Sequence, residues 1–486
     1  MYIDRALEPI VQRYSEHFKV VVVTGPRQVG KATMLRHLAE QDETRGIARS
    51  YVSLDNTALR LAAKEDPELF LQRYRPPVLI DEIQKAPELL PYIKLFADVS
   101  DEPGRYWLTG SQPLHLMREV SESLAGRAGI IEMLGLSNAE IAGRTSMPFD
   151  PSPEYFTGRV VDMPSYDVRE AYRRIAAGSL PAIRALPDDL HAGGYDSYID
   201  TYVMRDIRDL AHIGDELKFP RFMAGCAAFT SKPVVYAELA RIADIDEKTA
   251  KTWLSLLASS YLVKIAQPYS NSLLKRLSKQ PIMHFTDTGL AAHLSGWRSA
   301  ESLEFGAMGG QVFETFAFGE VYKGYLNTGL RPPLTFFRNN DKKEIDLLLE
   351  KDGRLHPVEV EKTASPNRKD IRNFSAIDPV SAEDAPSDLL ALKREIGMGA
   401  VLCMASDAYP IGREPGHSPS GRSEGPELHC GKRKSRCLAI ENSTTPSGFR
   451  SLGSKKASRY GWPEAPGSPG RIRTYNPPVN SRMLCR

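Results

Sequence analysis

The sequence predicts an α/β fold: a parallel sheet with helices, then a helical segment, then a second and smaller α/β unit. Three observations carry this. A β-branched run at Lys19–Thr24 breaks at Gly25 and leads into a helix-forming stretch. An apolar run at Pro77–Ile80 ends on two acids, Asp81 and Glu82. Strand patterns carrying acidic residues recur at 336–362. The chain has 486 residues, 42% hydrophobic and 26% charged, enough for several domains with cores of their own. Lys+Arg 63 against Asp+Glu 61 excludes a strongly basic nucleic-acid coat or an acidic solvating protein. No apolar run is long enough for a membrane span, no secretory leader is evident, and the Cys residues lack the spacing of a disulfide framework. A cytoplasmic protein is therefore expected.

In the first element, Lys19–Thr24 reads as a buried parallel strand. Gly25-Pro26-Arg27-Gln28-Val29-Gly30-Lys31-Ala32-Thr33 follows, then the helical Met34–Leu38. Strand, glycine-bounded loop and helix are the context of a P-loop. Gly25 and Gly30 let backbone NH groups turn toward phosphate oxygens, the helix start adds its positive dipole, and Lys31 supplies a cation. ATP or ADP is the expected ligand, with Mg²⁺. The position after the lysine normally carries a hydroxyl that ligates Mg²⁺. Here it is Ala32, which cannot, and Thr33 lies one step further round the helix. Binding is expected to survive and hydrolysis to be impaired.

At the second strand end, Asp81 is expected to hold Mg²⁺ through water and Glu82 to act as general base. A third strand, Gly104–Thr109, leads to Gly110-Ser111-Gln112, where Ser111 or Gln112 could sense the γ-phosphate. Arg127, in Leu124-Ala125-Gly126-Arg127, is a candidate phosphate sensor or finger acting on a second copy, or an ordinary surface arginine.

These stretches, with Tyr2-Ile3-Asp4-Arg5, Tyr51–Asp55, Ile83–Pro87, Tyr202–Leu210 and Phe285–Leu290, resemble a family of prokaryotic AAA-type P-loop ATPases that carry a C-terminal domain of unknown function. The resemblance spans about residues 1–405. It implies ATP binding at Gly25–Thr33. Its P-loop usually reads GKTT, so Ala32 departs from it.

Downstream, 146–195 reads as a connector rich in Pro, Gly and Asp. Tyr195–Ile213 reads as a helix with Arg205, Asp206, Arg208 and Asp209 clustered. Val235–Ala243 and Glu247–Leu257 form two short helices around a tight turn, followed by an apolar run: the order of a winged helix-turn-helix. Lys248, Thr249, Lys251 and Thr252 sit where DNA-reading side chains would lie. Lys275, Arg276 and Lys279 could touch phosphates. Glu238, Asp244, Asp246 and Glu247 oppose DNA, so a partner protein is the other reading. Then a helix bearing Glu314 and strands bearing Asp346 and Glu359 resemble a PD-(D/E)XK nuclease core. The lysine that chemistry needs falls on Glu361, and Lys362 points the other way, so cleavage is not expected.

The expected domains are thus 1–145, 146–195, 196–300, 301–405 and a tail, 406–486. From Ile411 the tail has 14 Lys/Arg and 5 Asp/Glu, a net of +9, with frequent Gly, Pro and Ser. It reads as disordered and non-native, through a shifted reading frame near residue 410, although a basic nucleic-acid arm has the same composition. Oligomerisation stays open.

Overall fold

The computed structural model describes residues 2–111, 123–152, 154–156, 167–204, 218–270, 280–339, 343–377, 395–405, 411 and 435–439. Helix α1 (Glu8–Ser15) leads into β1 (Val20–Thr24), whose residues are all buried. After the loop comes α2 (Lys31–Thr44), then β2 (Ser50–Ser53), α3 (Thr57–Glu65), α4 (Pro67–Arg73), β3 (Val78–Asp81), α5 (Leu89–Val99), β4 (Tyr106–Gly110) and β5 (Ala128–Glu132).

The five strands form one parallel sheet in the order β2-β3-β4-β1-β5. Alternation along β1 sends Val21 and Val23 to one face and Val20 and Val22 to the other. Val20 and Val22 pack with Ile80, Leu108 and Ile93 under α3–α5. Val21 and Val23 pack with Leu35 and Leu38 of α2, and the same cluster continues into Leu180, Tyr198, Phe222 and Leu257. One continuous core therefore joins the sheet to the helical segment.

The stretch expected to be a connector contains a helix, α6 (Val168–Ala177), because Ala171, Tyr172 and Ile175 supply a buried stripe. The helix expected at 195–213 is described only to Met204; its cluster at 205–209 lies outside the described residues. Next come α7 (Lys218–Ala228), β6 (Lys232–Pro233), α8 (Tyr236–Ala243), α9 (Glu247–Ser259), β7 (Val263–Ala266), β8 (Ile282–Phe285) and α10 (Thr288–Leu294). Here β6, β8 and β7 make a small antiparallel sheet in that order. Asp244 takes a left-handed conformation (φ 54°) to end α8, and Asp246 caps α9 by accepting from the Thr249 amide at 2.9 Å.

The second sheet is mixed. Helix α11 (Gly309–Leu326) packs on β9 (Leu334–Arg338), β10 (Glu344–Lys351), β11 (Arg354–Glu361) and β13 (Gly399–Cys403), and the short β12 (Glu395–Ile396) pairs with β11. β9, β10 and β11 are antiparallel neighbours, and β13 runs parallel to β11. Of the tail after 411, only Ser435–Ala439 is described: it forms β14, a parallel strand on β13. The rest of the stretch expected to be disordered lies outside the described residues. No helix among the described residues is long and apolar enough to cross a membrane.

Candidate functional site

The loop between β1 and α2 is shaped by three unusual backbones. Gly25 has φ 148°, and a Cβ there would stand 1.9 Å from the Met133 carbonyl oxygen. Gln28 and Gly30 are left-handed, at φ 62° and 92°. Gly30 precedes α2 without any side-chain cap, so no capping side chain stands over the helix start where an anion would approach. Lys31 is buried, and its Nζ donates to the carbonyl oxygens of Gly25 (3.0 Å) and Pro26 (2.8 Å). Val29 is fully buried, Ala32 half-buried and Thr33 exposed. Ala32 places no hydroxyl beside Lys31.

Arg5 fixes this loop from behind. It is 5% exposed; its Nη1 donates to the Val29 oxygen (2.7 Å), Nη2 to the Leu134 oxygen (2.8 Å) and Nε to Glu140 (2.9 Å). Burial alone would raise the Glu140 carboxyl, but the Arg5 charge, with amides from Ser137 and Ala6, leaves it below its ordinary range. The sequence placed Arg5 only within a resembling stretch; a buried cation this far from its acid in sequence has no local signal.

β4 lies between β1 and β3, so Asp81 is two strands from Thr24, roughly 10 Å. Asp81 is buried and accepts from Thr109 Oγ1 (2.5 Å), Tyr51 OH (3.1 Å) and Ser53 Oγ (3.3 Å). Glu82 is left-handed (φ 58°), and its amide donates to Thr109 Oγ1 at 3.0 Å. Such a conformation for a non-glycine residue costs about 1–3 kcal/mol and is held only by surrounding bonds. The Glu82 carboxylate accepts from Ser111 Oγ (3.2 Å) and from the Gln84 amide. Gln84 also donates to Ser111 at 3.1 Å, and its own Oε1 is buried without a partner among the described residues. Gln84 was not expected here; only its place two residues after Glu82 hinted at it. Gln112 lies outside the described residues.

Arg127 is at the wrong end of the sheet for a sensor within the chain. It precedes β5, whose Ala128 pairs in register with Val20, the first residue of β1. Its guanidinium is held by Asp98 at 2.5 and 3.0 Å. The expectation that it reads phosphate from within its own chain is corrected accordingly.

The end of β1 touches the helical segment. Thr24 Oγ1 hydrogen-bonds Tyr261 OH at 2.8 Å, and Lys264 pairs with Glu132 at the end of β5 at 2.5 Å. On α9, Lys248, Lys251 and Thr252 are exposed, but Thr249 Oγ1 is committed to Asp246 at 2.6 Å and is not free to read a base. Lys275, Arg276 and Lys279 lie outside the described residues.

Glu314 of α11 and Asp346 of β10 line one narrow cleft, and Glu359 of β11 lies beside Asp346, whose amide stands 3.5 Å from the Glu359 carboxylate. Asp346 Oδ2 accepts from the Val360 amide (2.8 Å), and Glu314 accepts from Ser231. Burial, then the neighbouring Asp346 charge, pushes Glu314 and Glu359 above the ordinary carboxylate range; burial also raises Asp346. Their ligand atoms do not converge tightly enough for one ion: among the described residues, the group that does is Asp4, Glu8 and His37. Lys362 turns away, onto the Glu304 carbonyl and the Tyr172 ring.

Residues 17–142 match the model of the AAA domain. Residues 168–301 and 309–414 match two domains of unknown function, DUF8612 and DUF4143. The chain is 29% identical over 350 residues to uncharacterized protein Rv2008c of Mycobacterium tuberculosis and, equally, to uncharacterized protein Mb2031c of Mycobacterium bovis, covering 72% of this chain and 71% of each relative. Among solved structures, AMPPCP-bound DnaA from Aquifex aeolicus aligns over 52% of this chain and 85% of its own at 12% identity, with a TM-score of 0.26. AAA domains in general bind ATP with Mg²⁺. The chain thus carries an AAA domain followed by a DUF8612 and a DUF4143 domain.

Proposed function

We propose that the chain is an ATP-binding switch, with weak Mg²⁺-dependent ATPase activity, that couples its nucleotide state to a DNA- or protein-contacting module downstream. The observation that carries this reading is the loop Gly25–Gly30 closed over by Lys31, with Asp81, Glu82 and Ser111 at the same end of the sheet. On binding, the Lys31 ammonium would exchange the Gly25 and Pro26 carbonyls for phosphate oxygens. The first-turn amides of α2 would take the remaining phosphate charge. Bound Mg²⁺ would neutralise charge between the phosphates. Asp81, held by Thr109, Tyr51 and Ser53, is oriented to order the ion's waters. Glu82 would take a proton from the attacking water, and Ser111 and Gln84 hold its carboxylate in place.

Ala32 is the weak point, because the ion loses its direct protein ligand. It favours a second reading, a nucleotide-sensing regulator that does not hydrolyse ATP and contacts DNA. Supporting that reading are the α8–α9 pair beside a three-stranded sheet, the order a winged helix would take, and the exposed Lys248, Lys251 and Thr252, which could contact phosphates. If the second sheet is a PD-(D/E)XK-like core, Glu361 in the lysine position opposes a nuclease.

The test is calorimetry of the folded chain with ATP and ADP, with and without Mg²⁺, repeated on Lys31→Ala. Saturable heat that Lys31→Ala abolishes supports the switch. No heat with either nucleotide sinks it. For the second reading, a duplex-DNA complex that loosens steeply with salt is expected.

A further inference from the structure

Asp4 belongs to the segment before α1, Glu8 is the first residue of α1, and His37 lies midway along α2, the helix that begins at Lys31. Far apart in sequence, a carboxylate oxygen of each acid and a ring nitrogen of His37 all lie within 4.8 Å of one another. Asp4 is exposed, and Glu8 and His37 are half-buried. None of their unpartnered polar atoms is among the buried ones, so an ion from solvent can reach all three.

The charge in this cluster is unbalanced. Among the described residues, no lysine or arginine stands within ion-pair distance of Asp4 or Glu8. Arg5, next to Asp4, spends its guanidinium on Glu140 and on the Val29 and Leu134 oxygens. Two carboxylates therefore sit together with only a neutral imidazole between α1 and α2. The dipole of α1 favours an acid in its first turn, but it gives no reason for a histidine from another helix beside it. The surrounding groups already hold the ligands. Tyr2 OH donates to Glu8 Oε1 at 2.6 Å and the Arg5 amide to the same oxygen at 2.9 Å, which leaves Oε2 without a donor among the described residues. The Tyr2 ring packs on the His37 ring, with centres 4.3 Å apart. The Gln41 amide lies 3.0 Å from His37 Nε2, which leaves Nδ1 without a partner among the described residues. Outer hydrogen bonds of this kind are what orient metal-bound histidines and carboxylates.

We propose that Asp4, Glu8 and His37 bind one Zn²⁺ ion, with water completing its coordination, and that the ion pins the amino-terminal segment to α2. An imidazole nitrogen with two carboxylate oxygens suits Zn²⁺, whereas Mg²⁺ and Ca²⁺ prefer oxygen alone. Ligand bonds to Zn²⁺ are about 2.0–2.2 Å, so two ligand atoms on one tetrahedral ion stand roughly 3.4 Å apart. Rotation of the exposed Asp4 side chain can close the remaining gap. The ion's two positive charges match the two carboxylates. None of the three residues belongs to the phosphate loop, so this site and the nucleotide site can fail separately.

The test is calorimetry of the full chain, stripped of metal by a chelator and free of nucleotide, with Zn²⁺, Mg²⁺ and Ca²⁺ in turn. One Zn²⁺ per chain should bind saturably, at least about a hundredfold more tightly than Mg²⁺ or Ca²⁺. It should raise the unfolding temperature of the native chain but not of His37→Gln. Asp4→Asn, a change at an exposed position, should weaken the site about tenfold or more while leaving the unfolding temperature of the metal-free protein unchanged. Tyr2→Phe removes only the hydroxyl that holds Glu8 and should weaken Zn²⁺ about tenfold. The chain also has five Cys, so Co²⁺ in place of Zn²⁺ separates the sites: nitrogen and oxygen ligands give visible bands without thiolate charge transfer. No saturable Zn²⁺ binding, Zn²⁺ no tighter than Mg²⁺, a Co²⁺ spectrum of thiolate ligation only, or full affinity in either Asp4→Asn or His37→Gln would each overturn the proposal.

Discussion

Replacing Arg5 by Met removes the cation behind the phosphate loop while keeping most of its volume. Glu140 then stays buried at 3% exposure without its counter-charge, and the Val29 and Leu134 oxygens lose their donors. Breaking a buried ion pair by removing one partner costs about 3–5 kcal/mol. Glu140 still accepts from the Ser137 amide (2.7 Å), Ser137 Oγ (2.9 Å) and the Ala6 amide (3.0 Å), which argues for the lower end, about 3 kcal/mol. The pH dependence discriminates further. In the native protein the Glu140 carboxyl sits below its ordinary 4.5, so its contribution is present above that pH and is lost as pH falls through the lowered value. Without Arg5, burial wins and the carboxyl rises. The deficit of Arg5→Met should therefore be largest near neutral pH and shrink below the carboxylate range. Urea unfolding followed by near-UV circular dichroism, at about pH 7 and about pH 4, reads both effects. A deficit under about 1 kcal/mol at neutral pH, or one equal at both pH values, would refute the clamp.

Ala32→Thr restores the hydroxyl next to Lys31 and should raise ATP turnover about tenfold or more in a phosphate-release assay; unchanged turnover removes Mg²⁺ ligation as the defect. Glu82→Gln should leave ATP affinity within about twofold while stopping phosphate release, and continued release would strip Glu82 of its role as base. Glu359 is raised by burial and by Asp346, so the folded state holds a proton that the unfolded chain gives up; stability therefore falls as pH climbs above the ordinary carboxylate range. Glu359→Gln should flatten that fall between about pH 5 and about pH 8 in thermal unfolding, and an unaltered slope would contradict the burial argument. Lys248→Ala with Lys251→Ala should reduce the salt slope of duplex-DNA binding by about two, and an unchanged slope excludes α9 as the contact.

Much of the first sheet was legible because its signals are local. β1, the loop and α2 are contiguous in sequence, and a β-branched run entering a glycine turn has few other outcomes. The acids of β3 mark a strand end for the same reason. What was not legible depended on register. Arg127 lies 96 residues after the loop's Lys31; its placement is decided by Ala128 pairing with Val20, which no local pattern states. Gln84 enters the site because Glu82 adopts a left-handed turn, a conformation that the sequence does not favour. Thr249 looked free to read a base, but the Asp246 cap one turn earlier claims it. The α6 stripe was masked by the Pro- and Gly-rich residues around it.

The join between the sheet and the helical segment bears on how a nucleotide could act at a distance. Thr24 is the last residue of β1 and the neighbour of Gly25, whose close approach to the Met133 oxygen leaves the loop little room to move alone. Glu132, next to Met133, holds Lys264, and Lys264 lies 4.8 Å from the Tyr261 ring that meets Thr24. The two strand ends that frame the phosphate loop are therefore each tied to the same corner between α9 and β7. Displacing the loop would strain both ties at once, because buried side chains at packing density have discrete arrangements rather than a continuous range. The hydrogen bond and the ion pair are worth about 1 kcal/mol or so each, so their differential between two nucleotide states is of the order that allosteric coupling requires, about 1–3 kcal/mol.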